Sequence, residues 1–304
     1  MRGTSDALYL LPFDHRGSFQ KGLFGIAPGD GPTRGQKHQI EDLKHLIYEG
    51  LLQALADGAP RRSAGVLVDE EFGASVAREA KAAGLTLAMP VEKSGQDEFD
   101  FEYGDDYQAH VRAFSPDYAK VLVRYNPGGD LDLNRRQAGR LAALSRWLRD
   151  QPQGYLFELL VPPTKEQITS AGGDGSAFAR RLLPELVVSA MAELQEAGVE
   201  LDVWKIQGLE TREDCEQAAA QARAGGRSDV FCIILGHGAD DAQVSRWLTA
   251  AAGVPGYNGF AIGRTIWWQP LLDFRSGRID RAAAVGAVAT KYRQMITIYE
   301  EGAP

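Results

Sequence analysis

The chain has 304 residues, 44% of them hydrophobic, and a formal net charge of −8. This length is too great for a small module and matches one α/β barrel, which commonly has about 250 residues or more. The negative charge disfavours nucleic acid and anionic membranes as partners. Cys215 and Cys232 are too few for a disulfide framework or a metal cluster and indicate a reducing compartment. With no signal peptide and no long apolar run, a cytoplasmic protein is expected.

Eight short apolar segments alternate with longer amphipathic ones along the chain. Eight strand–helix alternations without a break in composition predict one parallel (β/α)8 barrel, a TIM barrel, with residues 1–304 as a single domain. A doubly wound sheet is the alternative, but no dinucleotide-binding glycine fingerprint follows the first strand. The predicted strands are 8–13, 65–68, 86–90, 118–123, 155–161, 202–208, 230–235 and 260–262. The clearest helical patterns cover 39–56, 74–83, 134–150, about 175–197 and 282–299.

The connection after the third predicted strand is unusual. Residues 92–106 are rich in acidic and aromatic side chains, and the segment is long for a loop between a strand and a helix. Long loops at the carboxyl ends of barrel strands often close over a site, so the segment is a candidate lid.

Three ionisable residues lie within strands, where parallel sheets are normally apolar on both faces. Lys120, Glu158 and Lys205 belong to the fourth, fifth and sixth predicted strands. Neighbouring strands are about 4.8 Å apart, so three inward side chains would share one small volume. A buried ion-pair network is the structural alternative. Two lysines around one glutamate would leave an unbalanced buried charge, which favours a functional role.

This group of residues suits imine chemistry. Free lysine has a pKa near 10.4, and burial or a neighbouring cation lowers the pKa of an amine. Lys120 would therefore help to make Lys205 nucleophilic, while Glu158 would transfer the protons needed for carbinolamine dehydration and C–C cleavage. A protonated imine is an electron sink, so retro-aldol cleavage is expected without a metal or other cofactor.

Glycines follow the seventh and eighth strands, where many barrels bind phosphate through backbone N–H groups. Arg264 adds a donor suited to bidentate contacts. Glycine at strand ends also serves turning alone, so this pattern is a moderate signal. The predicted phosphate-binding residues are Gly236, His237, Gly238, Gly263 and Arg264.

Two charged segments, after the first and second strands, could each have more than one role. Asp14 and Arg16, after the first strand, suit either substrate contacts or a loop-fixing salt bridge. Asp69, Glu70 and Glu71, after the second strand, could bind a metal as hard oxygen ligands. A solvated acidic turn is favoured instead, because no histidines stand at ligand spacing. A metal-dependent lyase or isomerase using Asp14, Asp69 and Glu70 is thus the second functional hypothesis.

Six segments together resemble a known family over nearly the whole chain. They resemble the barrel domain at the C-terminus of some bacterial 5-dehydro-2-deoxygluconokinases, which is itself similar to class I tagatose-1,6-bisphosphate aldolases. The two longest motifs are specific, and single lysines are not. The segments are 13–18 (FDHRGS), 65–69 (GVLVD), 120–123 (KVLV), 157–163 (FELLVPP), 202–206 (DVWKI) and 259–268 (GFAIGRTIWW).

The resemblance implies a TIM barrel in which Lys205 forms the Schiff base, Glu158 is the acid/base and Lys120 is its partner. It further implies Asp14 near the substrate and Arg264 on a phosphate. The implied reaction cleaves 2-deoxy-5-keto-gluconate 6-phosphate, in inositol breakdown, to dihydroxyacetone phosphate and malonate semialdehyde.

Two positions depart from the family pattern, and both bear on the substrate. Gln207 and His237 stand where the family usually has Glu and Arg. The alternatives are therefore a tagatose- or fructose-type (bis)phosphate aldolase and a non-catalytic sugar-phosphate-binding barrel. The expected partner is a small sugar phosphate, and the sequence is compatible with a homo-oligomer.

Overall fold

The computed structural model describes residues 7–27 and 29–303. Its eight parallel strands pair in chain order, and the eighth pairs with the first, which closes a barrel. The predicted (β/α)8 fold is thereby confirmed, while the single-domain span of 1–304 stays a prediction. The strands are Leu8–Pro12 (β1), Ala64–Leu67 (β2), Thr86–Pro90 (β3), Tyr118–Arg124 (β4), Gly154–Leu160 (β5), Val203–Gln207 (β6), Phe231–Leu235 (β7) and Tyr257–Ala261 (β8).

Helices connect the strands and cover the barrel from outside. Several begin with a side-chain cap, such as Thr33, which forms a capping box with Gln36. The helices are Gly17–Phe24 (α1), Arg34–Ala56 (α2), Glu70–Ala82 (α3), Tyr107–Phe114 (α4), Leu131–Arg149 (α5), Lys165–Ser170 (α6), Gly175–Arg181 (α7), Leu183–Glu196 (α8), Arg212–Ala222 (α9), Asp241–Ala251 (α10), Arg264–Arg275 (α11) and Arg281–Glu301 (α12). Within the described part of the chain, no helix is both long and apolar enough to cross a membrane.

The structure corrects some predicted boundaries. The predicted helix over 175–197 is two helices, because α7 ends at Arg181 and Pro184 stands in the first turn of α8, where proline is tolerated. Strand β8 begins three residues before the predicted 260–262. The added part contains Gly259, a residue type that does not signal a strand. Here glycine is required, because a Cβ at this position would lie 2.2 Å from the backbone oxygen of Leu8 on β1.

An apolar layer fills the inside of the barrel. Eight buried strand residues form a cluster separate from the larger core between strands and helices, so they face the barrel interior. Side chains two residues apart on a strand share a face. Leu156 and Val203 belong to this layer, so Glu158 and Lys205 also face inward, one step nearer the carboxyl ends. The layer comprises Leu8, Leu10, Leu67, Ala88, Leu156, Val203, Ile233 and Ala261.

The segment 92–106 packs against neighbouring helices. Phe101 stacks on Tyr107 with ring centroids 4.0 Å apart, and Tyr103 stacks on His110 at 3.5 Å. Earlier in the segment, Glu98 pairs with two arginines of α5. These contacts anchor the segment beside the barrel mouth, and its role as a lid stays a prediction.

Candidate active site

Three charged side chains meet just above the apolar layer. The Glu158 Oε2 atom lies 2.9 Å from Lys120 Nζ and 2.9 Å from Lys205 Nζ. Glu158 and Lys205 are direct partners in the pairing of β5 with β6, which explains their contact. Lys120 and Lys205 are 1% and 3% exposed, so both amines are removed from bulk water. The structure therefore brings together the three strand residues singled out in the sequence.

Lys120 is surrounded by carboxylates. Its ammonium donates to Asp14 Oδ2 at 2.8 Å and to Glu92 Oε1 at 2.7 Å, besides its contact with Glu158. Two of its three N–H donors are therefore used in hydrogen bonds, and the contact with Glu158 adds a third ion pair. Burial opposes the charge of Lys120, but Asp14, Glu158 and Glu92 together raise the pKa of its amine well above the usual value. Lys120 is therefore held as a cation.

This surrounding corrects the charge argument made from the sequence. We expected two amines around one carboxylate, which would leave an excess of positive charge. The structure adds Asp14 and Glu92, so carboxylates outnumber amines in the cluster. Glu92 was missed because it lies in the irregular segment after β3, where no periodicity singles it out. The signal that could have found it is its position two residues beyond the carboxyl end of a barrel strand.

Lys205 differs from Lys120 in its surroundings. Among the described residues its ammonium has one ion-pair partner, Glu158, whereas Lys120 has three. Two of its three N–H positions are therefore not committed to a carboxylate. The geometry leaves Lys205 as the amine that a small molecule can engage.

Two carboxyl groups of the cluster, those of Asp14 and Glu158, are shifted towards ionisation. Burial opposes their charge, but Lys120 and then Lys205 outweigh it and lower the pKa of Asp14 far below its usual value. The same two lysines lower the pKa of Glu158 against the effect of burial. Both groups are therefore held as carboxylates, and Glu158 is the one in contact with Lys205.

His15 lies beside Asp14 and is held neutral. Burial, followed by the positive charges of Arg264 and Lys205, lowers its pKa to about 4, although Asp14 acts in the opposite direction. Its ring contacts Trp267 edge to face at 5.4 Å, and its Nδ1 atom is buried without a hydrogen-bond partner among the described residues.

The predicted phosphate-binding residues meet at the ends of β7 and β8. A Cβ on Gly238 would lie 2.7 Å from the Arg264 guanidinium carbon, so the glycine permits the close approach of this arginine. Arg264 begins α11, and Gly263 before it provides no side-chain cap. Within residues 7–27 and 29–303, Arg264 has no ion-pair partner. Helix start and guanidinium thus offer N–H donors and a positive charge at one place.

The two positions that depart from the family pattern contact each other. The amide nitrogen of Gln207 donates to His237 Nδ1 at 2.9 Å, which leaves the ring proton on Nε2. His237 has a φ of 47°, a left-handed conformation uncommon for non-glycine residues. Burial and then the charge of Arg264 lower the pKa of His237, so its ring is a neutral donor next to the guanidinium.

Arg16 is engaged by the segment 92–106. Its guanidinium donates to Glu102 Oε2 at 2.5 Å and to the Glu92 backbone oxygen at 2.6 Å, and the residue is 7% exposed. The structure thus shows the loop-fixing contact that the sequence analysis left open, and a substrate role for Arg16 stays a prediction.

Asp69 and Glu70 have other partners. Asp69 caps α3 by accepting from the Phe72 N–H at 2.9 Å, and its other oxygen forms a buried ion pair with Lys44. Glu70 accepts from His110 at 2.8 Å. No group of three or more metal-ligating side chains suited to an ion occurs in the part of the chain that the structure describes.

The fold and the position of the cluster define a (β/α)8 barrel with buried lysines and carboxylates towards the carboxyl ends of its strands. The chain belongs to a family described as "Uncharacterized protein conserved in bacteria (DUF2090)", which matches residues 1–303. No curated protein matches the sequence.

Solved structures with the same fold include aldolases. Cgl0159 from Corynebacterium glutamicum (Brevibacterium flavum) is 16% identical, with a TM-score of 0.56 over 95% of this chain and 86% of that one. A Schiff-base-forming fructose-1,6-bisphosphate aldolase is 13% identical, with a TM-score of 0.54 over 94% of each chain. The fructose-bisphosphate aldolase of Slackia heliotrinireducens DSM 20476 is 12% identical, with a TM-score of 0.53 over 94% of this chain and 86% of that one. At these identities the likeness concerns the fold.

Proposed function

We propose that the protein is a class I aldolase in which Lys205 forms an imine with a phosphorylated keto sugar or keto-deoxy sugar acid. The observation that carries the proposal is the position of Glu158 Oε2, which lies 2.9 Å from the buried Lys205 amine. A nucleophile and a proton acceptor in direct contact, here an ion pair, are the minimal pair for imine formation. Lys120, saturated by three carboxylates, is the fixed cation of the site and not its nucleophile.

The reaction can be followed through the protons. The free amine of Lys205 attacks the substrate carbonyl carbon, and the proton released from nitrogen passes to Glu158. Glu158 then returns a proton to the carbinolamine hydroxyl, which leaves as water and gives the imine. When the β-hydroxyl loses its proton to Glu158, the C–C electron pair moves into the protonated imine and an aldehyde departs. Protonation and hydrolysis of the remaining enamine release the ketone product.

The phosphate of the substrate is assigned to the ends of β7 and β8. Arg264 supplies the charge, the first N–H groups of α11 supply further donors, and His237 Nε2 supplies a neutral one. One guanidinium without an ion-pair partner among the described residues suits a single phosphate at this place. Asp14, an ionised side chain next to the cluster, is assigned to a substrate hydroxyl.

The preferred substrate is 2-deoxy-5-keto-gluconate 6-phosphate, cleaved to dihydroxyacetone phosphate and malonate semialdehyde. The motif resemblance to the kinase-fused barrel domains supports it. The fold shared with fructose-bisphosphate aldolases supports the alternative, a hexulose (bis)phosphate. Both belong to the same imine mechanism and to the small-molecule metabolism expected of a cytoplasmic protein.

The test is reductive trapping of the imine. The protein is treated with borohydride in the presence of dihydroxyacetone phosphate, and the modified peptide is identified by mass spectrometry. We expect the adduct on Lys205 in the wild type and none in Lys205→Met. Lys120→Met is the matched control, because it removes the other buried lysine in contact with Glu158. An adduct on Lys120, or none on the folded wild type, would contradict the proposal.

The substrate is then tested with a panel. Cleavage of 2-deoxy-5-keto-gluconate 6-phosphate and of hexulose bisphosphates is followed through triose-phosphate release. Faster turnover of a hexulose bisphosphate would select the alternative. Tight binding of a sugar phosphate without any product would instead indicate a non-catalytic binding barrel.

A further inference from the structure

Glu92 is a buried carboxyl group that the proposed mechanism does not use. Its Oε1 atom accepts from Lys120 at 2.7 Å. Its Oε2 atom is buried and has no hydrogen-bond partner among the described residues. An ionised carboxylate with an unsatisfied buried oxygen is costly, and a protonated carboxylic acid avoids much of that cost.

A continuous line of contacts joins Glu92 to the nucleophile. Lys205 contacts Glu158 Oε2 at 2.9 Å, the same oxygen contacts Lys120 at 2.9 Å, and Lys120 contacts Glu92 at 2.7 Å. Each link is an ion pair with an N···O distance below 3 Å, and the link between Lys120 and Glu92 is also a hydrogen bond. The line therefore offers a path for a proton between two ends that do not touch each other.

The surroundings of Glu92 favour its protonated form. Burial, followed in the same direction by the charge of Asp14, raises the pKa of Glu92, although Lys120 and Arg16 lower it. Lys120 faces Glu92 from β4, and Asp14 and Arg16 face it from the segment after β1. Tyr155 faces Glu92 from β5. Burial and then the charge of Glu92 raise the pKa of the Tyr155 hydroxyl. Asp14 and Glu158 have pKa values shifted the other way.

We propose that Glu92 is a positioning residue that stores the proton that Lys205 must lose before it attacks the substrate. The proposal rests on the imine function of Lys205. The ammonium of Lys205 gives a proton to Glu158. In a concerted step, Glu158 passes a proton to Lys120 while Lys120 passes one of its own to Glu92. Lys205 ends as a free amine, Glu158 as a carboxylate, Lys120 as an ammonium and Glu92 as a neutral acid. The number of protons and the net charge do not change.

An internal transfer has a measurable signature. No proton has to be released to solvent, so imine formation in the wild type should vary by less than about threefold between about pH 6 and pH 8. In Glu92→Gln the amide can still accept from Lys120 but cannot store a proton. Lys205 must then release its proton to solvent, and the rate of imine formation should fall by about tenfold for each unit by which the pH is lowered. The rate is measured by rapid mixing with dihydroxyacetone phosphate and a borohydride quench.

Two further variants make the result decisive. Glu102→Gln removes another carboxylate of the segment 92–106. That carboxylate contacts Arg16 and not Lys120, so the variant should keep the wild-type pH profile. Glu92→Asp keeps a titrating carboxyl group on a shorter side chain. Its imine formation should be slower than in the wild type, with the same flat pH profile. This variant also tests the proposal if Glu92→Gln does not fold.

Two outcomes would overturn the inference. One is parallel profiles in the wild type and folded Glu92→Gln, that is, a loss that is equal at every pH. The other is a steep profile in Glu92→Asp. A folded wild type that forms no imine at any pH would remove the proposed function itself, and the proton store with it.

Discussion

Glu158 and Lys205 stand directly opposite each other on adjacent strands, and their side chains meet at 2.9 Å inside the barrel. Backbone pairing fixes this contact, so it does not depend on a loop. The apolar layer below holds both stems and excludes water from beneath. The reacting pair is thus built on the most rigid part of the fold.

The first prediction concerns the nucleophile. Lys205→Met should lower kcat by about 10³-fold or more, because no other amine of the site can form the imine. The fold should persist, since Glu158 keeps Lys120 as a partner. Turnover and far-ultraviolet circular dichroism measure the two effects. Substantial turnover by the folded variant would contradict the assignment.

The second prediction concerns stability and pH. Asp14 has a folded-state pKa well below its unfolded value near 3.9, so its contribution to stability is complete above that value. The contribution is lost as the pH falls towards the folded-state pKa. Asp14→Asn should therefore destabilise the protein by about 2 to 4 kcal/mol at neutral pH, as expected when a buried ion pair is broken.

Urea unfolding across pH measures this effect. The difference between wild type and Asp14→Asn should shrink below about pH 4. Asp30→Asn, at an exposed acidic position, serves as the control and should show little difference at any pH. A constant difference down to acid pH would show that the Asp14 contribution is not electrostatic.

The third prediction separates phosphate binding from imine formation. Arg264→Gln should raise the KM for a phosphorylated substrate by about 10- to 100-fold, because a charge-assisted contact is lost. Imine trapping with unphosphorylated dihydroxyacetone should change little, since Arg264 is at the start of α11, after β8, whereas Lys205 lies within β6. Equal losses with both ligands would place Arg264 outside a phosphate site.

The fourth prediction addresses the metal hypothesis. Activity should survive extensive treatment with EDTA, because the protonated imine itself accepts the electron pair. Asp69→Asn should lower stability by about 3 kcal/mol, since it leaves Lys44 buried without its partner. Turnover per folded molecule should be retained. Activity that is lost with EDTA and restored by a divalent ion would favour the metal-dependent alternative.

The buried lysines and glutamate could be found without coordinates because their signal is local. A charged residue inside an apolar segment of strand length stands out from its neighbours, and the alternation of elements predicts which edge it faces. Lys120, Glu158 and Lys205 were recognised in this way. The glycines around His237 and Arg264 were found by the same logic, since strand ends are marked by turn residues.

Other relationships arise only when the barrel closes. Asp14 and Glu92 follow the ends of β1 and β3, Lys120 lies within β4, and no sequence spacing encodes their contacts. Arg16 could serve the substrate or a loop until the path of the segment 92–106 brought Glu102 to it. The sequence by itself determined the order of the elements and the kinds of chemical group inside them, because periodicity and polarity are properties of short segments. Only the tertiary structure decided the partner of each charge, because a partner is chosen by distance in space between residues far apart in the chain.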